Sequence, residues 1–129
     1  MKNLMILMIV LASGTIFGQE VTAFQNGAKM EFDKDVHDYG TIKQNDDGHC
    51  VFTVKNTGNQ PLVIRNAKGS CQCTVPDWPK EPIPPGETAE IRVKYNTARI
   101  GVINKSVTIT SNAVNGTSKV LRIKGTVVQ

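Results

Sequence analysis

The sequence predicts an all-β domain, an immunoglobulin-like β-sandwich of about seven strands. Three observations carry that reading. Apolar and polar residues alternate with period two in several short runs rich in Val, Ile and Thr. Clusters of Gly, Asn, Asp and Pro punctuate those runs. No segment beyond the leader sustains a helical period.

The chain opens with Lys2 and an unbroken apolar run, Leu4 to Ala12, broken by Ser13, Gly14 and Gly18. The run is too short to span a bilayer and has the layout of a secretory signal peptide over residues 1–18. Gly18 suits the position before the cut, while Ile16 fits the small-residue rule poorly. No cysteine stands near the cut, which argues against a lipid anchor. Residues 19–28 read as an N-terminal extension and residues 29–129 as one sandwich domain. Removal of the leader leaves about 110 residues, enough for a single core. The expected location is outside the cytoplasm, periplasmic or secreted, with no membrane span in the mature chain.

The first strand is expected around Met30-Glu31-Phe32, and an extended piece at Tyr39-Gly40-Thr41-Ile42. Gly48 to Asn56 then alternates, with Cys50, Phe52 and Val54 on one face. Leu62 to Arg65 is a short β-branched run. Thr88 to Tyr95 sets Ala89, Ile91, Val93 and Tyr95 against Glu90, Arg92 and Lys94. Lys105 to Ser111 and Lys119 to Val127 follow the same rule. The predicted core is Phe52, Val54, Ile64, Ile91, Val93, Val107, Ile109, Leu121 and Ile123. The strand tryptophan and paired-cysteine framework of antibody domains is missing, so only the architecture is implied.

Asp38-Tyr39-Gly40-Thr41-Ile42, Phe52-Thr53-Val54-Lys55-Asn56-Thr57-Gly58 and Pro61-Leu62-Val63-Ile64 form a recognisable series. Ser70-Cys71-Gln72-Cys73-Thr74-Val75-Pro76, Pro82-Ile83-Pro84-Pro85-Gly86 and Ile109-Thr110-Ser111-Asn112 continue it. In order and spacing these motifs resemble the secreted bacterial family called domain of unknown function 1573. The resemblance covers roughly residues 30 to 127. It implies a fold like the Hydin and major-sperm-protein immunoglobulin domains, which mostly bind or assemble. The family motif usually reads Cys-Gly-Cys, whereas Gln72 stands between the cysteines here. Gly permits a turn that Gln resists.

The three cysteines are the chemistry-bearing residues, and an odd number of them cannot all pair with one another. A bridge from Cys50 to Cys71 or Cys73 would close a loop of about twenty residues, worth about 3 kcal/mol. Direct pairing of Cys71 with Cys73 makes a strained ring that is readily reduced. Two thiolates with His49 or His37 would suit a soft metal, copper(I) first. The plainest reading keeps Cys50 as a small core residue and the pair as loop packing.

Pro76, Pro79, Pro82, Pro84 and Pro85 crowd around Trp78 and read as a stiff crossing between sheets. Trp78 is there a lid over the core or an anchor for a partner. Fifteen Lys and Arg against eleven Asp and Glu give +4, with the bases scattered at alternate strand positions. That is a solvated sheet face; a nucleic-acid footprint needs clustering and interleaved aromatics. No nucleophile elbow, phosphate loop or calcium loop is present, so the chain reads as a non-enzyme. The function expected is protein binding or envelope assembly by an unknown protein partner. Copper handling is the alternative. Thiol–disulfide chemistry ranks third, because reactive cysteines usually sit at a helix N-terminus and no helix is evident.

Overall fold

A computed structural model describes residues 26–129, so the leader expected at residues 1–18 lies outside the described residues. Eight strands follow in order: β1 Met30–Phe32, β2 Val36–Lys43, β3 His49–Asn56, β4 Ile64–Gly69, β5 Thr74–Asp77, β6 Thr88–Tyr95, β7 Gly101–Ser111 and β8 Ser118–Val128. They form two four-stranded sheets, ordered β1-β3-β6-β5 and β2-β8-β7-β4. No helix long and apolar enough to cross a membrane occurs among the described residues.

Each strand forms because its alternating pattern gives it one face to bury. In β6, Ile91, Val93 and Tyr95 point inward while Glu90, Arg92 and Lys94 face water. In β3, Cys50, Phe52 and Val54 take the same inward face, directly across from Val93, Ile91 and Ala89. All nine residues predicted for the core are buried. Leu62, Ile83, Ile103 and Val127 join them.

The strand count differs from the expected seven in the proline-rich stretch. Its start, Thr74–Asp77, is an edge strand, β5, pairing with β6 from Thr74↔Tyr95 to Asp77↔Arg92. Pro76 is tolerated there because an edge strand has a side that needs no donor. The change of sheet is made earlier, by Ser70 to Cys73, between β4 and β5. The remaining prolines lie in the return loop from β5 to β6, within one sheet. Leu62 is not a strand residue; it makes an isolated bridge with Ile83 of that loop, and β4 begins at Ile64. Gly27 and Ala28, read as part of an extension, are tied to the sandwich: Gly27 N–H donates to Asn59 Oδ1 at 2.8 Å, and Ala28 is buried.

Strand β2 runs parallel to β8, with a register shift between Asp38 and Thr41. Gly40 takes φ +68° at that shift, a conformation that side chains with a Cβ resist. Tyr39, in phase with His37 before the bulge, points inward, and its hydroxyl donates to the Gly48 carbonyl at 2.6 Å, linking the two sheets. Cys50 lies beside this phenol. Burial raises its thiol pKa, and burial raises that of Tyr39 as well.

Asn56, at the end of β3, is fully buried and fully satisfied. Its Oδ1 accepts from Lys29 N–H at 3.2 Å and Gly58 N–H at 2.9 Å. Its Nδ2 donates to the carbonyls of Gln60 at 2.7 Å and Ile83 at 2.9 Å.

Three outcomes follow for stability. Asn56→Ala removes all four bonds, although the Ile83 carbonyl keeps the one it accepts from Leu62 N–H at 2.9 Å, and should cost about 3–5 kcal/mol; chemical denaturation should read that loss with the sheet signal of the remaining fold retained. Ile91→Asp buries an unpaired charge in the centre of the core and should cost several kcal/mol, whereas a variant melting within a few degrees of the parent would place Ile91 on the wrong face. The raised acid pKa values favour the folded state while both groups are protonated. Stability should therefore hold below about pH 8.5 and decline above it, as unfolding releases first the Cys50 and then the Tyr39 proton; Cys50→Ala should remove the first part of that decline in melts run from pH 7 to 10.

Candidate functional site

The corner that carries the chain from one sheet to the other is built from small and polar residues. Gly69 ends β4 against the backbone of Thr74, where a Cβ would collide with the Thr74 carbonyl oxygen. Ser70 N–H donates to the Ser106 carbonyl at 2.8 Å, and Ser106 N–H returns to Ser70 Oγ at 3.0 Å. Asn96 N–H then holds the Cys73 carbonyl at 2.9 Å, at the entry to β5. The turn is therefore pinned from both sheets, and it presents Cys71, Gln72 and Cys73 at the rim.

Cys71 and Cys73 are bridged to each other, and Cys50 is a free, buried thiol. Of the pairings the sequence leaves open, the direct Cys71–Cys73 bridge is the one present, and a bridge from Cys50 is not. Strand β6 lies between β3, which holds Cys50, and β5, which Cys73 precedes. Two strand spacings are about 9.5 Å, beyond the roughly 7 Å that disulfide Cα atoms tolerate. The bridge that does form closes a minimal loop. The chain-entropy relation gives it roughly 1.5 kcal/mol, against about 3 for a loop of about 15 residues. It is thus a minor contributor to global stability.

Thr74 supplies the contact that the sequence reading missed. It is 2% exposed, and its Oγ1 lies 3.6 Å from Cys71 Sγ and 3.8 Å from Cys73 Sγ. A bridged sulfur carries no proton, so the hydroxyl is the donor, its single hydrogen shared between the two sulfurs.

An open groove of about 610 Å³ borders the bridge, lined among others by Asp47, His49, Gln72, Cys73, Val75 and Lys94. His49 stands on its wall with its Nδ1 2.7 Å from Asp47 Oδ1, and its backbone N–H donates to the same oxygen at 2.9 Å. The backbone N–H and then the ring hold the Asp47 carboxyl below its usual range. His49 and Cys73 thus share a groove. His37 does not join them: it sits on β2, at the edge of its sheet opposite β4. Its ring meets Lys34 Nζ at 3.1 Å and Tyr39 at 4.6 Å between centroids. Burial, then the Lys34 charge, lowers its pKa.

The soft-metal expectation required Cys71 and Cys73 as thiolates. As a disulfide they offer no thiolate charge, so that reading applies only to the reduced pair. Trp78 is half-buried against the core, with Lys80 Nζ 3.6 Å above its ring and donating to the Trp78 carbonyl at 2.9 Å. Its ring lies on the core and under an ammonium.

Comparison with known proteins agrees on the fold. A protein of unknown function from Porphyromonas gingivalis W83 superposes with a TM-score of 0.69 at 15% identity, over 79% of this chain and 48% of that one. The Vibrio cholerae VesB protease gives 0.62 at 15% identity, over 85% of this chain and 35% of that one. The ASH/PapD-like domain 7 of human CEP192 gives 0.60 at 8% identity, over 78% and 86%. The chain thus spans about half the length of the first and a third of the second, and at these identities the likeness is one of fold alone. No curated protein matches the sequence. The family described as protein of unknown function, DUF1573, matches residues 30–127, nearly the whole described sandwich, and the chain belongs to that family.

Proposed function

We propose that the chain is an exported, non-catalytic immunoglobulin-like module that binds another protein. One observation carries the reading: the outer face of the β2-β8-β7-β4 sheet presents apolar side chains to water. Val102 is 76% exposed, and Val36, Val120 and Val128 stand on the same outer face. Around them lie Thr41, Thr126 and Thr108, paired across the ladder with Thr126, Val102 and Val120 respectively. The valines are interspersed with Arg122 and Lys124, which stand on the same outer face between Val120 and the Val102–Thr126 rung, and this mixture of exposed apolar and basic side chains suits a partner surface. The likeness to a PapD-like domain supports a binding role. The apolar leader of residues 4–12 supports export.

A photo-crosslinking residue at position 102, expressed in the native host, tests this. One discrete adduct is expected, absent when the same residue replaces Lys55 on the opposite sheet. Excess parent protein should suppress the adduct and the Val102→Glu protein should not. Val102→Glu itself should fold normally, within about 0.5 kcal/mol of the parent, because the site is exposed. Indiscriminate adducts, or equal competition by the variant, would count against a specific partner on this face.

A further inference from the structure

The Cys71–Cys73 bridge has the surroundings of a reactive disulfide. It closes over a single residue, at a corner held from both sheets, beside an open groove that Cys73 lines. The hydroxyl of Thr74, buried and aimed at both sulfurs, is the second observation. A disulfide sulfur is a weak acceptor, so that hydroxyl is poorly used in the bridged state. A thiolate is a strong acceptor, and a hydrogen bond to a charged acceptor is much stronger than one to a neutral sulfur. Thr74 therefore favours the sulfur that leaves with negative charge. Reactive cysteines elsewhere gain this help from a helix N-terminus; here a side chain on the first residue of an edge strand stands in its place.

We propose that Cys71 and Cys73 form a two-electron thiol–disulfide exchange centre whose reductant is a dithiol, with Thr74 as its positioning residue. A thiolate of the dithiol enters from the groove and attacks Cys73 Sγ. The Cys71–Cys73 bond breaks, a mixed disulfide forms on Cys73, and Cys71 leaves as a thiolate that accepts the Thr74 hydrogen bond. The second thiol of the dithiol, deprotonated, attacks its own sulfur in the mixed disulfide and releases Cys73. The dithiol is oxidised by two electrons to its disulfide, and its two protons pass to Cys71 and Cys73. Cys50 takes no part, buried behind β6. The exchange is independent of the partner surface on the other sheet, so either reading stands if the other fails.

The test uses the full chain carrying Cys50→Ser, which leaves only the bridge to titrate. Dithiothreitol is added over a range of concentrations, the reaction is quenched with a maleimide, and the sheet signal is followed by circular dichroism. Two thiols should appear while the sheet signal is unchanged, at a rate proportional to dithiothreitol. Thr74→Val should slow this by roughly tenfold and raise the pH at which the reduced protein alkylates; Thr74→Ser should restore both. A rate independent of dithiothreitol and equal to that of unfolding would overturn the proposal, and that arm stands even if Thr74→Val does not fold. Equal rates and equal alkylation profiles in folded Thr74→Val, Thr74→Ser and parent would overturn the role of Thr74.

Discussion

The described fold turns on one buried amide. Asn56 closes the end of the sandwich remote from the cysteine corner, and its four hydrogen bonds reach three separate stretches of chain. One is the approach to β1, one the turn after β3, and one the proline-rich return loop at Ile83. Buried polar groups stabilise only when fully paired, and a fully paired one fixes its partners in a single arrangement. Through Ile83 the amide anchors the loop whose other end is β5. The Ile83–Leu62 bridge then fixes the approach to β4. The two edge strands that flank the cysteine corner are thus both held by one side chain at the far end of the molecule.

The strand faces were legible because the side-chain period is two, and a one-residue slip would expose an entire apolar set. That is why Phe52, Val54, Ile91 and Val93 were placed correctly without any knowledge of their partners. What was illegible depends on neighbours in space. Asn56 reads as a turn residue, since nothing in Asn-Thr-Gly says that its amide will point inward. The prolines hid β5, because a rule that excludes proline from central strands says little about an edge. Cys50 was assigned to the correct face, but pairing needs sheet order, and sheet order puts β6 in the way. Thr74 carries no local signal at all: its meaning comes from the two sulfurs on the preceding turn.

Stability and chemistry are separated in this molecule. The apolar core and the Asn56 network lie between the sheets and at one end. The Cys71–Cys73 bridge lies at the rim and closes so short a loop that it adds little constraint to the unfolded chain. A long-loop disulfide from Cys50 would have tied the redox state of the protein to its folding. Cys50 stays a packed thiol apart from the rim bridge, of whose two cysteines Cys73 rests against the edge of the core. Gly69 against Thr74, and the Ser70–Ser106 pair of bonds, hold the corner independently of the sulfurs.

The two outer faces differ in kind, and this sets how the molecule can meet a partner. The β1-β3-β6-β5 face is charged, with Glu90 and Arg92 paired at 2.9 Å and Lys55 and Lys94 on neighbouring rungs. The other face carries the exposed valines and threonines together with Arg122, Lys43 and the longer Asp38–Lys124 contact at 4.0 Å. Burying the charged face would require desolvating ions that gain little from one another at the surface. Burying the valines removes apolar area from water, with Arg122 and Lys124 on the same face left to pair with a partner's acidic groups. A protein that docks flat on the valine face leaves the groove beside Cys73 open, because that groove belongs to the opposite sheet and its loops. Binding on one face and exchange at the rim can therefore proceed on one molecule at the same time.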